Sequence, residues 1–260
     1  VDENIDSNDK VNNPNKTILE IANADPQYKN KVAAFGSWDV FPYIINEERS
    51  GVPVNAGFEL AKGDDLSERE KFLNELQPMV PSPWGTVRLD AFTHHFALEN
   101  MKRAHPELVY IAYGETDDFA HDGDYEAYLK SANTTDTMIK ELWDFTQSDP
   151  FYKNNTVFII STDHGRGALD LKTWTGHGSD VQDAGSVWLV LFGKNVSADG
   201  EVVQFSEKVM AEGNVEFWLT DIEKMMVKTL YDKNKAALSN NNNEFYFVNF
   251  IYCFNISCVL

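Results

Sequence analysis

The chain has 260 residues, 43% hydrophobic and 24% charged, the composition of a globular protein able to bury a sizeable core. Its 41 acidic against 22 basic residues give a formal net charge of −19. That balance argues against nucleic acid or an anionic membrane as partner, since both require basic surface, and it suits a protein that holds divalent cations. No apolar run of about 18 residues occurs, so no transmembrane helix is expected.

Residues 1–16 are polar and turn-rich, without the apolar stretch of a signal peptide. KTILEIANADP then predicts a short helix stopped before Pro26, and KVAAFGSW (31–38) a buried strand. Residues 46–65, rich in Gly, Asn and Asp, read as a loop or small insertion. SEREKFLNELQ (67–77) has helical periodicity, with Ser67 as N-cap and Glu70 placed to complete a capping box. LDAFTHHFALENMKRA (89–104) predicts a second helix; His94 and His95 in it read as packing or surface residues, and His105 before Pro106 as its terminator. ELVYIAY (107–113) predicts a strand running into GETDDFAHDGD, and DYEAYLKSANTTDTMIKELWDFTQ (124–147) a long amphipathic helix.

TVFIISTD (156–163) is a further strand ending in DHGRG, and GSVWLVLFG (185–193) another buried one. NVEFWLTDIEKMMVKTLY (214–231) predicts a closing helix, its Met-rich stretch in the core. Apolar strands alternating with helices indicate an α/β fold around a mostly parallel sheet flanked by helices. The tail beyond 231, ending in FYFVNFIYCFNISCVL, fits no clear period; an added strand, an oligomer contact and a non-native end all remain open. The two cysteines, Cys253 and Cys258, both lie there and make poor evidence for a metal site. Sequons begin at Asn15, Asn133, Asn154, Asn195 and Asn255, and matter only in a host that glycosylates exported proteins.

The residues that carry chemistry cluster at predicted strand ends, where ligands of open α/β sheets collect. LVYIAY delivers Asp117 and, four residues on, His121; one helical turn would put both on one face. TVFIIST delivers Asp163 and His164, which converge on one ion only in a tight turn, as Gly165 and Gly167 permit. His177 lies between Gly176 and Gly178 in the loop before the next strand. Mixed Asp and His donors suit zinc, with manganese second and magnesium or calcium favoured only by all-oxygen sites. Asp-x3-His, Asp-His-Gly and Gly-His-Gly are each common by chance; their joint placement at strand ends is what points to a metal centre. The other carboxylates of the stretch, Glu115, Asp118, Asp122 and Asp124, read as solvated charges near helix starts.

These motifs resemble the alkaline phosphatase superfamily of phosphatases, phosphodiesterases, sulfatases and cofactor-independent phosphoglycerate mutases. The likeness runs over residues 17–231, leaving 1–16 as a polar segment and 232–260 as a tail. It implies two divalent cations, zinc before manganese or magnesium, the first held by Asp117, His121 and His177 and the second by Asp163 and His164. Arg166 is close enough in sequence to bind a substrate oxygen, a surface role being the equal alternative. The family's first strand, with an aspartate for the second metal, and its Ser or Thr nucleophile would precede KTILEIANADP. Thr17 begins a helix, but its setting resembles the helix after the nucleophile, so no catalytic nucleophile is assigned and the second site is read as incomplete. The implied activity is hydrolysis of a small phosphoric ester. A non-catalytic metal-binding fragment, a sulfatase-like enzyme and an acidic α/β protein with coincidental histidines are the alternatives. Relatives of this kind are commonly exported, though two terminal cysteines fit a cytoplasmic home equally well. Substrate and oligomeric state are not encoded in any motif.

Overall fold

The computed structural model describes residues 7–167, 173–196 and 249–254, the last as backbone. Helix α1 (Ile18–Ala24) is capped by the Thr17 hydroxyl, which accepts the Glu20 amide, so this threonine serves as a helix cap. Strand β1 (Val32–Gly36) follows, then two single-turn helices, α2 (Phe41–Ile44) and α3 (Glu47–Ser50), and strand β2 (Val54–Ala56). The 46–65 segment is therefore more than a loop. Val52, Val54 and Ala56 alternate into the core while Asn55 does not, but three strand residues are too few for that alternation to stand out in sequence.

Helix α4 (Glu68–Leu76) begins with the expected reciprocal cap between Ser67 and Glu70. Helix α5 (Asp90–Ala104) ends on His105, whose left-handed backbone stops it. Strand β3 (Leu108–Ala112) leads into α6 (Glu115–His121) and α7 (Tyr125–Ser148), then β4 (Thr156–Ser161) and β5 (Leu189–Gly193). The helix expected over 214–231 lies outside the described residues. The tail contributes β6 (Asn249–Phe254).

Six strands form one sheet in the order β2-β1-β3-β6-β4-β5, parallel throughout except for the β4–β5 pair. Alternate residues of each buried strand feed opposite faces, as a two-residue period requires. Val32, Ala34, Leu108, Val157 and Ile159 pack with α1 and α2 on one side. Ala33, Phe35, Val109, Ile111, Phe158 and Ile160 pack with α4, α5 and α7 on the other. Burying a side chain of this kind contributes about 1.5–3 kcal/mol, so the two apolar layers dominate the stability. Strand β5 departs from expectation: it is a half-buried edge, with Val190 44% exposed, because only one of its sides is paired among the described residues.

The parallel run β3-β6-β4 brings the carboxyl ends of β3 and β4 to the same edge, two strand spacings apart, and puts GETDDFAH beside DHGRG. No helix among the described residues is long and apolar enough to cross a membrane.

Candidate metal centre

Helix α6 follows β3 after Tyr113 and Gly114, and its i, i+4 geometry places Asp117 and His121 on one face, Oδ2 to Nε2 3.4 Å apart. Its first turn is held from the core. Asp90, fully buried at the start of α5, accepts the Gly114 amide at 2.7 Å and the Glu115 amide at 3.0 Å, while Glu115 accepts the Asp90 amide at 2.9 Å. Ser37 donates to the same Asp90 carboxylate at 2.5 Å and pairs with Thr93, which takes the Arg88 Nε–H. A Cβ at Gly114 would stand 3.0 Å from Val87 and 3.4 Å from Ser37, so glycine lets this turn approach. Burial, reinforced by the Glu115 charge, outweighs the three donors and pushes the Asp90 carboxyl up to about 7.

The second arm is the chain after β4. Gly165 donates its amide to Ala184 at 2.7 Å, and a Cβ there would collide with the Ser186 and Asp183 carbonyls; Gly167 is likewise closed in by Thr173. Space is what demands glycine at these two positions. Gly176 is different: a Cβ there would have no neighbour nearer than 3.8 Å.

The arms meet at Asp117. Its Oδ1 lies 3.5 Å from His164 Nε2 and 3.8 Å from His177 Nε2, and His177 Nε2 lies 3.1 Å from His121 Nε2. Asp163 Oδ1 stands 3.7 Å from His164 Nε2 and accepts the His164 amide. All five expected residues thus belong to one cluster. The His164 and His177 rings are parallel within 9°, with centroids 3.7 Å apart. His164 donates Nδ1–H to the Gly165 carbonyl at 2.9 Å, which fixes its tautomer and leaves the Nε2 lone pair toward Asp117. Burial and the neighbouring His164 lower His177 to about 4, so its ring is neutral at pH 7.

Arg166 is buried. One guanidinium nitrogen donates to the Asp117 carboxylate and backbone carbonyl, the other to the Thr175 carbonyl at 2.9 Å, so it ties α6 to the loop that carries His177. Asp118, expected to be solvated, is part-buried; burial, then Asp117 and Asp122, push its carboxyl up to about 7. Asp122 accepts Trp84 Nε1–H at 2.9 Å, and Asp124 caps α7. The Asp90 relay had no signal in the sequence, where an acid in a first helical turn reads as a dipole partner.

The donors fit a transition metal. A tetrahedral shell with bonds near 2.1 Å puts ligand atoms about 3.4 Å apart; His121 and His177 are 3.1 Å apart, and Asp117 meets them through different oxygens, Oδ2 at 3.4 Å and Oδ1 at 3.8 Å. With this geometry in view, comparison with known families is decisive: a family model described as the Metalloenzyme superfamily matches residues 65–230.

The chain belongs to the Metalloenzyme superfamily.

Membership makes metal-dependent hydrolase or mutase chemistry its functional class and divalent cations its cofactors, and it agrees with the α/β sheet flanked by helices. The matched span of this Metalloenzyme superfamily chain contains every residue of the cluster. No curated protein and no solved structure matches the chain.

Proposed function

We propose that this member of the Metalloenzyme superfamily hydrolyses phosphoric esters, with Asp117, His121 and His177 holding one cation and Asp163 and His164 the second, zinc suiting both. The observation that carries the reading is the stacked pair His164 and His177. Asp117, His164 and His177 bring their donor atoms within 4.8 Å of one another, close enough to share an ion, and the side-by-side rings equally suit two cations about 3.5–4 Å apart. Asp117, within 4 Å of three imidazole nitrogens, faces both.

Bound there, paired cations would lower the pKa of an attacking hydroxyl and balance charge on the entering and leaving oxygens of a phosphoryl group. The chain's own residues set the stage. His164 is locked in the Nε2-open tautomer. Asp118, with its raised carboxyl pKa beside Asp117, offers a group able to exchange a proton near neutral pH. Arg166 fixes the distance between the arms.

Metal analysis after gentle purification, with nitrophenyl phosphate, bis-nitrophenyl phosphate and nitrophenyl sulfate as substrates, tests this. Zinc- or manganese-dependent release from a phosphate ester, lost in His177→Ala, is the expected result. Absence of bound metal, or turnover of the sulfate alone, would refute it. A non-catalytic metal-binding role is the second reading. It is favoured by the Arg166 guanidinium, which already neutralises Asp117, and metal uptake without turnover of any of the three substrates would establish it.

A further inference from the structure

A second group of metal-type donors shares no residue with the first. His94 and His95 on α5 and Glu141 on α7 bring one donor atom each to within 4.8 Å of the others. We propose that these three residues form a separate transition-metal site, suited to zinc, that clamps α5 to α7.

Successive helical residues normally diverge by about 100°, so neighbouring histidines seldom share a ligand. Here the two rings stand only 5.0 Å apart. His94 is buried, its Nε2 3.0 Å from Glu141 Oε2 and its Nδ1 2.9 Å from the Tyr113 hydroxyl. The Nε2–H donates to that carboxylate, so the two donors already lie side by side, and Nδ1 has an outer hydrogen-bond partner of the kind that orients metal-bound imidazoles. His95 Nδ1 is shut off from solvent and has no hydrogen-bond partner among the described residues, an unpaired polar atom beside an incomplete donor set. The local cations are already engaged: Glu99, one turn beyond His95, holds Lys102 at 2.8 Å and Arg69 at 3.7 Å. Two imidazoles and one carboxylate are a zinc donor set that leaves a fourth position open.

The shell needs only modest closure. His94 and Glu141 are already near the spacing of about 3.4 Å that tetrahedral ligands require. Glu141, half-exposed on α7, has room to turn toward the imidazoles. On loading, the proton now on Nε2 leaves as one is taken up at Nδ1, where Tyr113 Oη turns to accept it, so the ring stays neutral and Nε2 is free for the cation. Helices α5 and α7 lie either side of α6 in the chain, and α5 also carries Asp90, so a cation here would brace the elements that flank the strand-edge centre.

The test uses cobalt(II) and zinc on the full chain, with strand-edge binding removed by Asp117→Asn, His164→Ala and His177→Ala together. This protein should still take up one equivalent of cobalt, with the visible absorption of tetrahedral nitrogen–oxygen ligation, and should melt higher in zinc than in chelator. Adding His95→Ala or Glu141→Gln should weaken that uptake by at least about 10-fold. In the otherwise native chain, the same two substitutions should lower zinc stoichiometry by one while leaving the strand-edge ions in place. Circular dichroism confirms folding of each variant. The proposal is overturned if cobalt uptake is unchanged by His95→Ala and Glu141→Gln. It is equally overturned if the native chain and His95→Ala bind the same number of zinc ions.

Discussion

Asp117 and His121 stand on a helix whose first turn is stitched into the core by Asp90, whereas Asp163, His164 and His177 stand on turns fastened by glycine contacts and by Arg166. The first arm draws its rigidity from a buried network of Ser37, Thr93, Arg88 and Asp90, each fully or almost fully enclosed. The second draws it from a few backbone hydrogen bonds and one guanidinium. The two arms of the candidate centre are thus held by different means, one by buried side-chain hydrogen bonds and the other chiefly by backbone contacts and one arginine.

The comparison can be broken most completely at the residue common to both arms. Asp117→Asn removes the charge that faces three imidazoles, and strand-edge zinc should become more than about 100-fold weaker, beyond the usual effect of outer-shell partners; equilibrium dialysis measures it. Asp90→Ala leaves two amides and a hydroxyl without their acceptor in the core, and should cost about 3 kcal/mol in urea unfolding. If the stability is unchanged, the first arm is not anchored as described.

The same aspartate gives the first arm a pH signature. Its folded pKa of about 7 lies above the ordinary 3.8, so its contribution is fully present below about pH 4 and is lost as pH rises through about 7. The urea midpoint should therefore carry a falling component over that window, which Asp90→Asn flattens. Arg166→Ala acts on the other arm: amide exchange over 173–178 should quicken while that of α6 holds, and zinc should bind about 10-fold more weakly. The smallest effect belongs to Trp84→Phe, which deletes the Nε1–H bond to Asp122 but keeps a ring against Phe119, costing about 1 kcal/mol or less in thermal unfolding.

Much of this architecture was legible because it is local. The runs LVYIAY and TVFIIS are long and apolar enough to announce β3 and β4, and the Ser67–Glu70 spacing announces α4. Asp117 and His121 declare themselves by a four-residue interval that only a helix turns into proximity. What stayed hidden depends on distance in the chain. Asp90 acts on an amide 24 residues away, and His94 finds Glu141 across 47 residues, with no periodicity to link them. Strand β2 was too short to reveal its alternation, and β5 is as apolar as a central strand yet lies at an edge. The helix expected at 214–231 is neither supported nor opposed by the described residues.

Strand β6 sets a condition on when the centre can exist. Among the described residues it is the sole bridge between β3 and β4, pairing Leu108 with Phe250 and Thr156 with Asn249, partners separated by about 90 to 140 residues of chain. Until that late segment docks, the strands that launch the two arms share no ladder, and their ends have no fixed separation. Local helices can form early, but a chain awaiting residues 249–254 carries its candidate metal-ligating side chains as two unregistered groups. A divalent cation met during folding would then find half-sites first, so the order of strand closure and metal arrival bears on how the candidate centre assembles.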